Sequence, residues 1–195
     1  PPMSSVYKLK LSDLNANLLQ ELQAQYAHAE VEVHVNTPAQ WTAAEEDWFW
    51  SMIALLDWKQ AGDDTAIIQP LINHLATQPM RSILLFADIL SEKLHRLDAQ
   101  VFAENMGEYS FRDGYYFSVD DFLYARCCVV ANGRETYKNV LEDPTEMPES
   151  QTFGALLRVA PQAYLLKTGQ RMQYQAAYPI ETFSNAKGWE ETEEV

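Results

Sequence analysis

PMRSILLFADILSEKLHRLDAQVFAENM, residues 79–106, carries the periodicity that decides the fold reading. Pro79 suits a first helical turn, where its missing N–H costs nothing. Ile83, Leu84, Phe86, Leu90, Leu94 and Leu97 then recur three and four residues apart, which aligns them on one helix face. Asp98 reads as the cap of a short helix over residues 99–106. Toward the N-terminus, Thr42-Ala43-Ala44-Glu45 is a capping box opening a helix with Trp48, Phe49, Met52, Ile53 and Leu56, stopped by Gly62. Asp63-Asp64 starts another, with Ile67, Ile68, Leu71, Ile72 and Leu75, in which Pro70 is tolerable only near a first turn or as a kink. On the C-terminal side, residues 107–117 are irregular and aromatic, with Tyr109, Phe111, Tyr115, Tyr116 and Phe117. Ser118 opens a helix through Phe122 and Val130, and Asn132-Gly133 breaks it. A further helix holds Tyr137, Val140 and Leu141 until Asp143-Pro144. Thr152 is the expected cap of a last helix that Gly169 terminates. The expectation for residues 42–170 is a compact multi-helix domain.

Residues 3–36 read differently. Val6-Tyr7-Lys8-Leu9-Lys10-Leu11 and Glu30-Val31-Glu32-Val33-His34-Val35 alternate with period two, as strands do. Between them Leu14, Leu18, Leu22 and Tyr26 keep helical spacing. The expected fold class is therefore α+β, mainly α, with a small N-terminal strand–helix–strand unit before the helical domain. Such a unit buries too little surface to stand alone. Edge-to-edge pairing of residues 6–35 into a homodimer is one expected solution, and packing on the helical domain is the other. Residues 171–195 form a C-terminal extension whose Tyr174, Tyr178, Phe183 and Trp189 imply packing on the body, ending in an acidic tail. Pro1 and Pro2 are expected to be an expression remnant before a natural start at Met3.

Composition narrows the function classes. With 47% hydrophobic residues and only seven Gly and nine Pro, the chain is neither disordered nor low-complexity. Twenty-eight Asp and Glu against 14 Lys and Arg leave a net charge of -14, which argues against nucleic acid. Residues 41–108 alone carry eleven acidic and four basic side chains; the acidity serves solubility and mutual repulsion between copies, or forms a face that docks on a basic protein partner. No run reaches the length of a membrane span, and no secretory leader is read, so a cytoplasmic location is expected. Cys127 and Cys128 are adjacent, lie in an apolar helix and read as packing residues. None of the four His pairs at metal-binding spacing, no Gly-rich phosphate loop occurs, and no nucleophile motif is found. Neither catalytic residues, a cofactor nor a metal are assigned, and an enzyme is not the favoured reading.

One polar constellation stands out: Asp120, Asp121, Arg126, Arg134 and Tyr137. Arg126 falls beside Phe122 and Val130, where an unpaired cation would cost several kcal/mol. Either it and Arg134 clamp neighbouring helices through Asp98, Asp120 or Asp121, or they line a pocket for an anionic small molecule with Tyr115, Tyr116 or Tyr137 as walls. Trp48-Phe49-Trp50 cannot all enter one core, because consecutive helical residues point about 100° apart; one Trp is expected to face another element or a partner.

The strings FWSMIALLDW (49–58), FADILSEKLHRLDA (86–99), SVDDFLYARCCVVANGRETYKNVLEDPTEMP (118–148) and ALLRVAPQAYLLKTG (155–169) resemble a bacterial family known as domain of unknown function forty-two-forty. The resemblance spans residues 49–169 and implies a compact, mainly helical domain without assigned chemistry. Three functions are expected in descending order: a cytosolic protein–protein interaction module, a small anionic-ligand binder or enzyme using the Arg126/Arg134 region, and an acidic immunity-type inhibitor of a basic toxin or nuclease.

Overall fold

The computed structural model describes residues 41–190, together with Gln20 and Ala24. The chain divides into two units, residues 1–37 and 38–195. Within the first, Gln20 and Ala24 are helical and exposed. Residues 41–190 of the second fold into α1 (Ala43–Ile53), α2 (Asp64–Thr77), α3 (Met80–Arg96), α4 (Gln100–Ala103), α5 (Val119–Ala131), α6 (Arg134–Glu142) and α7 (Val159–Thr168). Short 3-10 turns at Trp58–Gln60, Gly107–Tyr109, Pro144–Glu146, Gly154–Arg158 and Ala186–Gly188 punctuate them.

Local chemistry sets most boundaries. At the start of α1 the Thr42 hydroxyl accepts the Glu45 N–H at 3.2 Å, and the Glu45 carboxylate accepts the Thr42 N–H at 3.0 Å. The bond from the Thr42 N–H, with a second from the Thr42 hydroxyl at 2.8 Å, holds the Glu45 carboxyl below the usual carboxylate range. The helix ends at Ile53 rather than at Gly62, because the Trp58–Gln60 turn, capped by Asp57, intervenes. Asp63 accepts the N–H groups of Thr65 and Ala66, both at 3.0 Å, and starts α2. That helix continues through Pro70, which leaves the carbonyl four residues earlier without its donor. Asp98 does not cap α4: the cap position is Ala99, and no side chain bonds there. Thr152 does not cap α7 either, since the Gly154–Arg158 turn leads directly into it.

The helix α3 is central, touching α1, α2, α5 and α7, and α2 packs most extensively on α7. Phe49, Phe86, Phe122, Ile68, Leu71, Leu75, Leu94 and Leu97 are sealed from solvent. Each such side chain stabilises the fold by roughly 1.5–3 kcal/mol relative to exposure. Of the consecutive aromatics, Phe49 and Trp50 are buried and Trp48 is half-exposed. Residues 171–185 have no regular structure and lie across α3 and α5.

The α+β class is corrected: among the described residues there is no strand, and the class is α. A six-residue period-two pattern becomes a strand only where a neighbour completes its ladder. Residues 41–190 form helices, short turns and an irregular C-terminal segment, with no strand ladder among them. The strand–helix–strand unit expected at residues 3–36, and the dimer expected through 6–35, lie outside the described residues apart from Gln20 and Ala24. No helix among the described residues is long and apolar enough to cross a membrane.

Candidate functional site

Arg126 and Asp98 sit together at the meeting point of α3, α5 and the C-terminal segment, both fully shielded from solvent. The Arg126 guanidinium lies 3.9 Å from the Asp98 carboxylate. It donates to the Leu94 carbonyl at 2.9 Å, and to the Ile180 carbonyl and Thr182 hydroxyl, each at 3.0 Å. Phe122 lies under it, 4.8 Å from ring centre to guanidinium carbon. Burial lowers the proton affinity of Arg126, while the charges of Asp98, Cys127 and Glu181 oppose that. Its Nε–H is buried without an acceptor.

Asp98 is the more heavily used partner. Its oxygens accept the N–H groups of Phe183 at 3.1 Å and Asn185 at 2.9 Å. They also accept the Ser184 hydroxyl at 3.3 Å and the Trp189 indole N–H at 2.9 Å. Further back on α3, Asp88 accepts the Tyr174 hydroxyl at 2.7 Å and the Ala177 N–H at 2.9 Å. Half-burial raises the Asp88 carboxyl above its ordinary range, and the two hydrogen bonds pull against that. The Ser91 hydroxyl accepts the Tyr178 N–H at 3.2 Å, and His95 Nδ1 lies 3.0 Å from the Pro179 carbonyl. Residues 174–185 therefore run alongside α3 in its own direction. Each bond contributes about 0.5–1.5 kcal/mol, more where a charge is involved. At the end of the run Trp189 packs among Phe111, Phe122 and Phe183, with ring centres 4.4 to 5.9 Å away.

A second polar knot joins α1, α3 and α6. The ammonium of buried Lys93 lies 2.7 Å from Glu46 and 2.8 Å from Glu92, above the Tyr137 ring. The Trp50 indole donates to Glu46 at 3.3 Å, and the Tyr137 hydroxyl donates to the Lys93 carbonyl at 3.4 Å. Burial, aided by the charge of Glu92, pushes the Tyr137 phenol far above its usual range. The knot ties three helices together and presents no free nucleophile.

The remaining residues of the expected cluster scatter. Arg134, on α6, pairs with Asp47 of α1 at 2.6 Å near the surface, not with Asp98, Asp120 or Asp121. Asp120 is exposed and Asp121 half-exposed, both in the first turn of α5, where negative charge suits the helix dipole. Tyr137 belongs to the Lys93 knot. Among the described residues, Arg126 and Arg134 line neither a shallow cleft of about 490 Å³ beside Tyr124, Gly154 and Arg158 nor one of about 310 Å³ beside Trp48 and Arg81. Cys127 and Cys128 are free and buried, and burial pushes the Cys127 thiol up to about 12. Among the described residues no group of three or more His, Cys, Asp or Glu is arranged to hold a metal.

Tyr115 and Tyr116 stand in solvent, 77% and 93% exposed. Their loop is nevertheless pinned at both stems. Phe111 and Phe117 pack edge to face at 5.3 Å and both reach Trp189, while Phe117 also meets Phe122.

Read from sequence, Asp98 is both a helix cap and a candidate partner of Arg126, and only the second holds, while Asp88, Ser91 and His95 carry no assigned site role. The signal was present: 88, 91, 95 and 98 are spaced by three and four residues, a polar stripe that runs down α3 and just past its end. No curated protein and no solved structure matches the chain. Residues 44–166, which include α2 to α6, Asp98 and Arg126, match the profile of a family described as protein of unknown function (DUF4240). The match covers well over half of the chain, which therefore belongs to that family.

Proposed function

We propose that the chain is a protein–protein interaction module of the cytoplasm, a rigid helical body that presents an aromatic loop to a basic partner protein. The observation that carries this reading is the exposure of Tyr115 and Tyr116 on a loop whose stems, Phe111 and Phe117, are locked in an aromatic cluster. Tyrosine offers large, amphipathic contact area at low entropic cost, and pinned stems remove the cost of ordering the loop on binding. Charge supports the choice of partner. Along the chain, residues 104–121 on either side of the loop carry Glu104, Glu108, Asp113, Asp120 and Asp121 against one basic residue, Arg112. An acidic stretch flanking aromatic anchors favours a basic surface and repels like-charged competitors. The polar groups that could serve chemistry are instead engaged in the Arg126–Asp98 pair and the Lys93 knot.

Affinity capture from cells of the source organism, with wild-type protein beside the Y115A/Y116A double variant, tests the reading. The expected result is a basic protein retained near stoichiometry by wild type. It should be released at about 1 M salt, where the Debye length falls to about 3 Å, and lost from the double variant. Thermal melts should coincide, because surface substitutions of this kind stay within about 0.5 kcal/mol. Equal retention by both proteins, a salt-insensitive partner, or no retained protein counts against the proposal.

A further inference from the structure

We propose that the surface shared by α3 and α5 is a peptide-recognition site and that residues 174–189 are its tethered, displaceable ligand. The partner it fits is then a protein with an extended segment of the same chemistry: spaced backbone N–H donors, a carbonyl for Arg126 and an indole for Asp98. The inference concerns a different surface from the Tyr115–Tyr116 loop and does not depend on that loop's role.

Four observations carry it. First, no residue of the segment 170–190 is fully buried, and Met172, Ile180 and Trp189 pack only partly buried on the core, whereas the floor beneath, with Ser91, Asp98 and Arg126, is buried. An element of the core would contribute fully buried side chains; a bound peptide lies on top and anchors itself by a few partly buried ones. Second, side chains of the body read the backbone of the segment. Asp88, Ser91 and Asp98 accept its N–H groups, and Arg126 donates to its Ile180 carbonyl. That is how grooves hold extended peptides. Third, the fit is strained and incomplete. Phe183 adopts φ +72°, a conformation bulky residues avoid, and the Arg126 Nε–H beneath the segment stays unmet. Fourth, every floor residue falls within the family-matched segment 44–166, and the cover lies beyond it. The groove is thus part of the matched domain and its present occupant is not.

A tethered ligand competes at an effective concentration on the order of millimolar, so an intact chain should reject added peptide. The test inserts a site-specific protease sequence after exposed Arg171 in the full chain and adds fluorescent synthetic peptide 172–190. Before cleavage, micromolar body should leave the peptide's anisotropy unchanged. After cleavage, the peptide should replace the nicked segment to a stoichiometric end point, while far-ultraviolet circular dichroism and the melting transition persist. A peptide carrying W189A, offered to the same nicked protein, should bind at least about tenfold more weakly, losing one charge-assisted bond and its ring contacts. Binding before cleavage, failure to exchange after it, collapse of the helical signal on release of the segment, or equal binding of the W189A peptide would overturn the proposal.

Discussion

Replacing Asp98 by Ala and Arg126 by Met removes the two halves of one buried pair, and the structure predicts unequal costs. In Asp98→Ala the fully buried guanidinium loses a carboxylate 3.9 Å away, a gross attraction of about 4 kcal/mol at an effective dielectric near 20. Four donors of the C-terminal segment, from Phe183, Ser184, Asn185 and Trp189, lose their acceptor together. These terms are not additive, because the segment can lift and let water reach its N–H groups, so the expected total is about 3–5 kcal/mol. In Arg126→Met the carboxylate keeps its four donors, and the methionine restores apolar volume over Phe122. What is lost is a donor for the carbonyls of Leu94 and Ile180 and for the Thr182 hydroxyl. Of these Leu94 is sealed in the core, and one buried unsatisfied group costs about 1–3 kcal/mol. The carboxylate variant should therefore be less stable by about 2 kcal/mol, roughly 30-fold in the folding equilibrium. Urea titrations of both variants under identical conditions, followed by circular dichroism, measure the difference. An Arg126→Met protein as unstable as Asp98→Ala, or more so, would refute the claim that the carboxylate organises the site.

Gly188→Ala should loosen the end of the segment, because a Cβ there would lie 2.5 Å from the Asp98 carbonyl and 2.7 Å from the Ala99 side chain. The expected cost is about 1–3 kcal/mol of overpacking, read as a lower melting temperature; an unchanged melt would mean that the approach is not tight. The Tyr174 phenol is pushed up to about 12 by burial and by its bond to Asp88. A proton held more tightly in the folded state stabilises fully below the unfolded value of 10 and ceases to do so as pH rises through about 12. Tyr174→Phe should therefore remove one late step from the ultraviolet tyrosinate titration and flatten the loss of stability in that window. Both cysteines should resist thiol reagents at neutral pH in the native protein and react on unfolding, since Cys127 and Cys128 are buried and their thiols are held protonated; rapid native reaction would contradict the packing of α5.

Much of the helical body was legible because helix formation leaves local marks. The Thr42–Glu45 box, the Asp63 cap, the Asn132-Gly133 break and the left-handed Gly169 are each decided within a few residues, and the structure uses all four. The errors arose where a local signal had a distant competitor. Asp98 has the composition of a helix cap, yet its oxygens go to residues 85 to 91 positions further along the chain. Gly62 looks like the end of α1, but the Trp58–Gln60 turn ends it earlier and the glycine serves the approach to α2. The period-two pattern at residues 6–11 and 30–35 suggested a sheet, and a sheet depends on partners that local alternation does not supply.

The candidate site divides the same way. From the sequence alone it follows that Arg126 sits among apolar residues and that a cation there demands a partner, since the cost of an isolated buried charge does not depend on topology. Which carboxylate answers is a tertiary matter: Asp98 rather than Asp120 or Asp121, because α3 and α5 pack side by side and both aspartates of α5 lie in its first turn, away from the core. Arg134, offered the same three partners by sequence, was drawn to Asp47 by the docking of α6 near α1. The covering of the pair by residues 174–189 left still less of a mark. An irregular segment has no periodicity to read, and its place on α3 is set by single hydrogen bonds to Asp88, Ser91 and Asp98 that exist only once the helices have assembled.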